Sequence, residues 1–178
     1  MGHLTYVVMD NQIYGLTTGQ TSPTTTTGHK TKSTPRGNTE IPLNPIALAI
    51  VAGPTYVARG FSGEPKLLGE LIAGAIVHRG FALVDVFCPC VTYNKVNTYA
   101  FFKERVYKLE DEGFDPSSME AALKKAFEWG ERIPLGVIYK AEQAIYEDSD
   151  PVLKKGPLVK QPLGISRDTM REFIEEMV

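Results

Sequence analysis

The sequence predicts an α/β fold: a partial parallel sheet with flanking helices, followed by a helical carboxyl-terminal extension. Three features of the chain say so. Between residues 4 and 87, short runs rich in β-branched and aromatic residues alternate with segments of helical spacing. The first of these runs lacks clean polar–apolar alternation, which suits a strand covered on both faces. With 43% hydrophobic and 22% charged residues over 178 positions, the chain can build one substantial core at about one domain's length.

The run LTYVVM, residues 4–9, reads as the first strand. Residues 17–35 hold nine threonines with Gly, Pro and Ser, too little apolar surface for a regular element, so they read as a long loop, either functional or a flexible linker. In NPIALAIVAG, Asn44 serves as N-cap, Pro45 as the first helical residue and Gly53 as the stop. TYVAR, 55–59, follows as a strand, and Pro65 opens a second helix with Leu67, Leu68, Leu71, Ile72, Ala75 and Ile76 at helical spacing and Gly80 as its stop. FALVDVF, 81–87, is the third strand. Further on the character changes. Residues 98–110 and 116–132 read as helices, the second opened by Pro116, and 166–177 as an acidic amphipathic closing helix. Between them lie a short extended piece, 134–140, and a Pro/Gly-rich arm, 147–164, with little of its own to bury. The expected organisation is a first part over 1–94 and a helical extension with its arm over 95–178.

Charge and cysteine usage narrow the function classes. Nineteen basic and 21 acidic side chains leave a net charge of −2 and no dense basic block, which argues against nucleic acid or an anionic membrane surface as partner. No apolar run reaches the length of a membrane span, and the start of the chain lacks the basic region of a signal peptide. Cys88 and Cys90, one residue apart, are too few for a disulfide framework, so a reducing, cytoplasmic compartment is expected.

The first strand runs into DNQIYGLTTGQTSPTT. Ligands of open parallel sheets bind beyond the strand ends, so this is the position to inspect. Asp10 and Asn11 supply hard oxygens, Gly15 and Gly19 let backbone approach a ligand, and the Thr/Ser run offers hydroxyls to phosphate oxygens. Composition alone supports a phosphate-or-magnesium reading, with an Asx turn after the strand as the plain alternative for Asn11.

The order of residues says more. DNQIYGLTTGQTSPTT, followed by KTKSTPRG, IPLNPIALAIVAGPTYVAR, FALVDVFCPCVTYN and PLGVIYK, closely resembles the β subunit of the 2-oxoacid:ferredoxin oxidoreductases, the thiamine-diphosphate subunit of that family. The resemblance runs from Leu4 to about Lys140 and implies the carboxyl-terminal part of a thiamine-diphosphate-binding fold. It implies that the Asn11 side-chain oxygen and the Ile13 carbonyl are magnesium ligands clamping the cofactor's diphosphate. Tyr14, Gly15, Leu16 and Thr17 then line the cofactor, with Leu16 nearest the reacting carbon and Thr18 facing the substrate's far end. Many relatives carry Lys at the position of Thr18. A neutral hydroxyl cannot supply that charge, so pyruvate-like 2-oxoacids are favoured over 2-oxoglutarate. Cys90, directly before VTYN, takes the place of one of four ligands to a 4Fe-4S cluster, and Cys88 reads as a bystander; taken alone, the pair would read as buried structural cysteines.

The activity implied is CoA-dependent oxidative decarboxylation of a 2-oxoacid, with electrons passed through the iron–sulfur cluster to ferredoxin, in company with an α-type subunit. The family's GDG segment, with another magnesium ligand, and its other cluster cysteines have no counterpart among these residues. The chain therefore corresponds to the carboxyl-terminal half of that subunit, and is expected to be neither active nor a comfortable monomer alone. Two other readings stay open: a non-catalytic docking homologue, and a thiamine-dependent enzyme without a cluster. His29, in the polar loop, and His78, at a helix end where a cation suits the dipole, are read as structural. Trp129 and the aromatics of 99–102 are read as core or interface anchors.

Overall fold

The computed structural model describes residues 3–162 and 164–177. These form two compact units, one reaching to Ile145 and one starting at Tyr146. In the first, strands β1 (Leu4–Asp10), β2 (Tyr56–Phe61) and β3 (Phe81–Phe87) alternate with helices α1 (Pro45–Ala52) and α2 (Pro65–Val77). There follow α3 (Tyr99–Lys103), β4 (Val106–Lys108), α4 (Met119–Ala126) and β5 (Ile133–Lys140). The sheet order is β1-β3-β2-β5-β4. The first three strands are mutually parallel, β5 runs antiparallel to β2, and β4 runs parallel to β5.

Local signals fix the first half. The Asn44 side chain accepts from Ala47 N at 3.0 Å, Pro45 begins α1, and Gly53 ends it in the left-handed region, where only glycine rests without strain. The same Asn44 donates its amide to Ala126 O at 2.7 Å, tying the start of α1 to the end of α4. Helix α2 covers one sheet face through Leu67, Leu71 and Ala75, against Ala58, Val84 and Phe61. The opposite face packs Ile46 and Ile50 of α1 and Ala122 and Ala126 of α4 on Val57 and Ile138. With cover on both sides, every residue of β2 is buried.

The structure departs from expectation at three elements. The helix expected over 98–110 stops at Lys103. Arg105 lays its guanidinium over the Phe101 ring, and Val106, Tyr107 and Lys108 pair with Ile133, Pro134 and Leu135, a non-local ladder that helical spacing cannot reveal. The next helix begins at Met119 and not Pro116, because Asp115 accepts from Ser117 N in an Asx turn while the Ser118 hydroxyl caps Ala121 N. It ends by Phe127, far short of 132. β4 and β5 both lie past residue 94 yet join the same sheet, so the part read as a helical extension also builds strand. Finally, β1, expected to be covered on both faces, is a sheet edge whose Leu4, Tyr6 and Met9 are exposed, Met9 at 77%. Its apolar composition suits cover that no described residue provides.

The second unit contains α5 (Tyr146–Ser149), short 3₁₀ turns and α6 (Arg167–Glu176), which Ser166 caps through Thr169 N. Its arm folds back on itself through the Gln161 amide, which donates to Val152 O and Gly156 O. Among the described residues no helix is long and apolar enough to cross a membrane.

Candidate functional site

β1 delivers the chain to a tight turn at the carboxyl ends of the strands. Asp10 accepts from Gln12 N at 3.1 Å and from the Thr24 hydroxyl at 2.6 Å. Asn11 Oδ1 accepts from Ile13 N at 3.0 Å, so the Asx turn is present. That bond occupies one lone pair of the oxygen and leaves the other. No hydrogen bond among the described residues reaches the Ile13 carbonyl. Two unspent oxygens therefore lie on one turn, a donor set of the kind that Mg²⁺ takes alongside phosphate oxygens.

Beyond Ile13 the chain doubles back. Tyr14 N donates to Gln20 O at 2.9 Å, Gly19 N to Tyr14 O at 2.9 Å, and Thr18 N to Gly15 O at 3.1 Å. Thr17 bonds Gln20 through their side chains. The turn forces Thr18 to a φ of 73° and Gly19 to 91°, and the Tyr93 ring lies where a Cβ on Gly19 would be. Leu16 crowns the loop, 98% exposed. The Thr18 hydroxyl accepts from Lys32 Nζ at 2.7 Å.

The turn after β3 meets this one. A Cβ on Gly15 would lie 3.2 Å from Cys90 Sγ and 3.8 Å from Asn11 Nδ2. Gly15 thus lets the Cys90 thiol approach the turn that carries Asn11 and Ile13. Asn94, 1% exposed, locks the two together. Its Nδ2 donates to Asn11 O at 3.0 Å, its Oδ1 accepts from Val96 N and Asn97 N, and its own N–H reaches Cys90 O at 3.0 Å. Both cysteines are free thiols, and burial beside Asp10 and Asp85 pushes Cys88 up to about 11, which leaves it an inert thiol. No group of three His, Cys, Asp or Glu among the described residues could hold a metal by itself.

The Thr-rich loop is built from its own hydroxyls. Thr21 bonds Thr31 at 2.7 Å and Thr34 at 2.6 Å, and Thr25 accepts from Ser22 N and donates to Gln12 O, both at 2.8 Å. Many of the hydroxyls read as phosphate ligands thus pair with one another. His29 and His78 take structural places. Burial lowers both, and His78 is tied into the fold by a 2.7 Å hydrogen bond shared with the Thr55 hydroxyl. Trp129 packs edge-on against Phe87 and Phe102 within an aromatic cluster, as an anchor should.

One cluster escaped sequence reasoning. Arg59, 2% exposed, and Asp85, 1% exposed, face each other at 3.9 Å across neighbouring strands. Arg59 Nη2 donates to Ala126 O at 3.1 Å, while its Nε and Nη1 and both Asp85 oxygens find no hydrogen-bond partner. Burial and the nearby Asp10 carboxylate push Asp85 up to about 7, against the pull of Arg59. A cleft of about 370 Å³ opens over them, lined also by Asp10, Gln12, Thr26 and Trp129 but by none of Asn11, Ile13, Gly15 or Cys90. The signal was there: one charge in the middle of each of two otherwise apolar strands.

Comparison with known proteins places these motifs. The family model of the thiamine pyrophosphate enzyme C-terminal TPP-binding domain matches residues 2–86, and that of the C-terminal region of the pyruvate ferredoxin oxidoreductase β subunit matches 90–155. The chain is 45% identical to the 2-oxoacid:ferredoxin oxidoreductase subunit β of Saccharolobus solfataricus, over 86% of this chain and 56% of the relative. It is 49% identical to subunit β of an Aeropyrum pernix 2-oxoacid:ferredoxin oxidoreductase, over 76% and 46%. A solved structure of 2-oxoglutarate:ferredoxin oxidoreductase from Magnetococcus marinus with 2-oxoglutarate, coenzyme A and succinyl-CoA bound superposes at a TM-score of 0.80 and 37% identity, covering 96% of this chain and 58% of that one. The chain spans about half the length of the curated relatives it matches.

Proposed function

The chain belongs to the family of 2-oxoacid:ferredoxin oxidoreductase β subunits, and from that membership we propose that it forms the thiamine-diphosphate-binding half of a site for CoA-dependent oxidative decarboxylation of a 2-oxoacid, with electrons passing to ferredoxin. The observation that carries this reading is the convergence of two turns: Gly15 brings Cys90 Sγ against the turn on which Asn11 Oδ1 and the Ile13 carbonyl keep unspent oxygens. Those oxygens would hold magnesium against the cofactor's diphosphate, and Cys90 would supply one thiolate to a 4Fe-4S cluster. Thiamine diphosphate, when bound, supplies an electron sink for the carbon that loses carboxylate.

This chain's own residues do the placing. Tyr14, Gly15 and Thr17 present backbone and hydroxyl along the cofactor, Leu16 offers an apolar face to the reacting carbon, and Thr18 faces the substrate's far end. Gly15, on which a Cβ would lie 3.2 Å from Cys90 Sγ, would keep that thiol close to the turn that lines the cofactor. The remaining ligands come from the other half of the subunit, which with an α-type partner also covers the apolar edge of β1. Two unbridged thiols suit a cytoplasmic setting. Thr18 alone leans toward pyruvate-like acids.

The test uses the full-length subunit expressed together with its partner. Reduction of ferredoxin should require both a 2-oxoacid and CoA. Asn11→Leu should lose bound thiamine diphosphate, while Cys90→Ser should keep it and lose the broad visible absorption of the cluster. Retention of thiamine diphosphate by Asn11→Leu, or unchanged absorption in Cys90→Ser, overturns the assignment, and a complex that binds its partner yet never the cofactor is a docking protein.

A further inference from the structure

We propose that the ammonium of Lys32, held on the Thr18 hydroxyl, receives the second carboxylate of a dicarboxylic 2-oxoacid, so that the site accepts 2-oxoglutarate-type substrates as well as pyruvate-type ones. The inference rests on the reading above, in which Thr18 faces the substrate's far end. Taken alone, Thr18 leaves that end without charge. Its hydrogen-bond partner changes the chemistry, because Lys32 Nζ lies 2.7 Å from Thr18 Oγ1.

The position of Lys32 is set by backbone as well as by its side chain. Lys32 N donates to Gly19 O at 3.0 Å, so the residue runs alongside the tip of the turn. On either side, Thr31 and Thr34 bond the Thr21 hydroxyl, and Ser33 Oγ accepts from Thr21 N at 2.9 Å. Four neighbouring residues of the loop are thereby stitched to residues 19–21, and the threonines that looked like phosphate ligands serve to aim a cation.

That cation is uncommitted. No carboxylate among the described residues forms an ion pair with Lys32. Residues 11–39 contain Lys30, Lys32 and Arg36 and no Asp or Glu at all, so the loop has no acid of its own to neutralise it. An ammonium has three donors, and the neutral Thr18 hydroxyl takes one. The other two, beside a turn with Leu16 exposed at its crown, are suited to a charge-assisted bond with a ligand carboxylate. Thr18 then acts as the positioning residue and Lys32 as the specificity-determining one.

The assembled enzyme tests this with substrate pairs. Its kcat/KM should be measured for 2-oxoglutarate and for pyruvate in the parent, Lys32→Met, Lys32→Arg and Thr18→Val, with circular dichroism and cluster absorption as controls of folding. The ratio of the two values should fall about tenfold in Lys32→Met, the scale of one hydrogen bond to a charged group, and recover in Lys32→Arg. Thr18→Val should lower it less. Equilibrium binding of glutarate, which lacks the reacting carbonyl, should weaken in step, and the parent's ratio should fall with added salt. Turnover of 2-oxoacids with a ratio and a glutarate affinity indifferent to Lys32 overturns the inference and leaves the family reading intact. Failure of the parent to turn over any 2-oxoacid overturns the proposed activity, and the inference with it.

Discussion

Asn94→Ala removes a buried side chain that hydrogen-bonds the two turns of the site together. Three hydrogen bonds go with it: the one donated to Asn11 O, and those accepted from Val96 N and Asn97 N at 3.1 and 2.9 Å. Asn94 is 1% exposed, so water has no easy route to the stranded partners. At about 1 kcal/mol net for each buried hydrogen bond, the loss is about 3 kcal/mol, and more if the two N–H groups stay dry. Asn94→Asp keeps both accepted bonds but sets a buried carboxylate oxygen against Asn11 O in place of the donor, so it should cost at least as much. Urea unfolding followed by circular dichroism measures both, provided the slope of the transition is unchanged. In the assembled enzyme, Asn94→Ala should also weaken thiamine diphosphate, because Asn11 loses the bond that fixes its carbonyl. A cost below about 1 kcal/mol for alanine would refute Asn94 as the clasp.

Three further outcomes are expected. Gly15→Ala should leave the chain's stability within about 1 kcal/mol, since the backbone there is not left-handed, yet shift the cluster's visible spectrum by crowding Cys90 Sγ at 3.2 Å; an unaltered spectrum with wild-type activity would contradict the contact. Asp85 is raised in the folded state from an ordinary value near 3.8 to about 7, so its stabilising contribution is complete below the unfolded value and is lost as pH climbs through 7. The unfolding free energy from urea titrations should therefore fall between pH 5 and 8, by at most about 3 kcal/mol from this group, and Asp85→Asn should flatten that slope; a parent stability that rises over the same range contradicts the burial argument. Thr25→Val deletes three hydrogen bonds, to Ser22 N, Ser22 Oγ and Gln12 O, from a fully buried hydroxyl and should cost about 3 kcal/mol, with Thr25→Ser recovering most of it, and equal costs for the two would rule out the hydroxyl as the cause.

The three parallel strands and the two helices between them were legible because their punctuation is local: Asn44 and Pro45 open α1, Gly53 closes it, and Pro65 opens α2. β4 and β5 were less so, since pairing of Val106 with Ile133 is decided by residues 27 apart and leaves no periodic trace. The helix read through Val106 failed for that reason. At the site, residue order pointed to Asn11, Ile13 and Cys90, and Asn94 was contained in the quoted VTYN without its role being evident. Spacing could not tell that Lys32 would fold back on Thr18, fourteen residues earlier, nor that the Thr-rich loop would bond to itself. Loop hydroxyls have no periodicity to read; only three-dimensional closure assigns their partners.

Trp129 is the sole tryptophan of the chain and stands where the α4 turn meets the aromatic cluster, bordering the cleft over Arg59 and Asp85. Light absorbed at the red edge of the protein spectrum therefore excites one indole at one address. Emission from the unaltered molecule becomes a site-specific record of that seam, and any small molecule entering the hollow announces itself without a label.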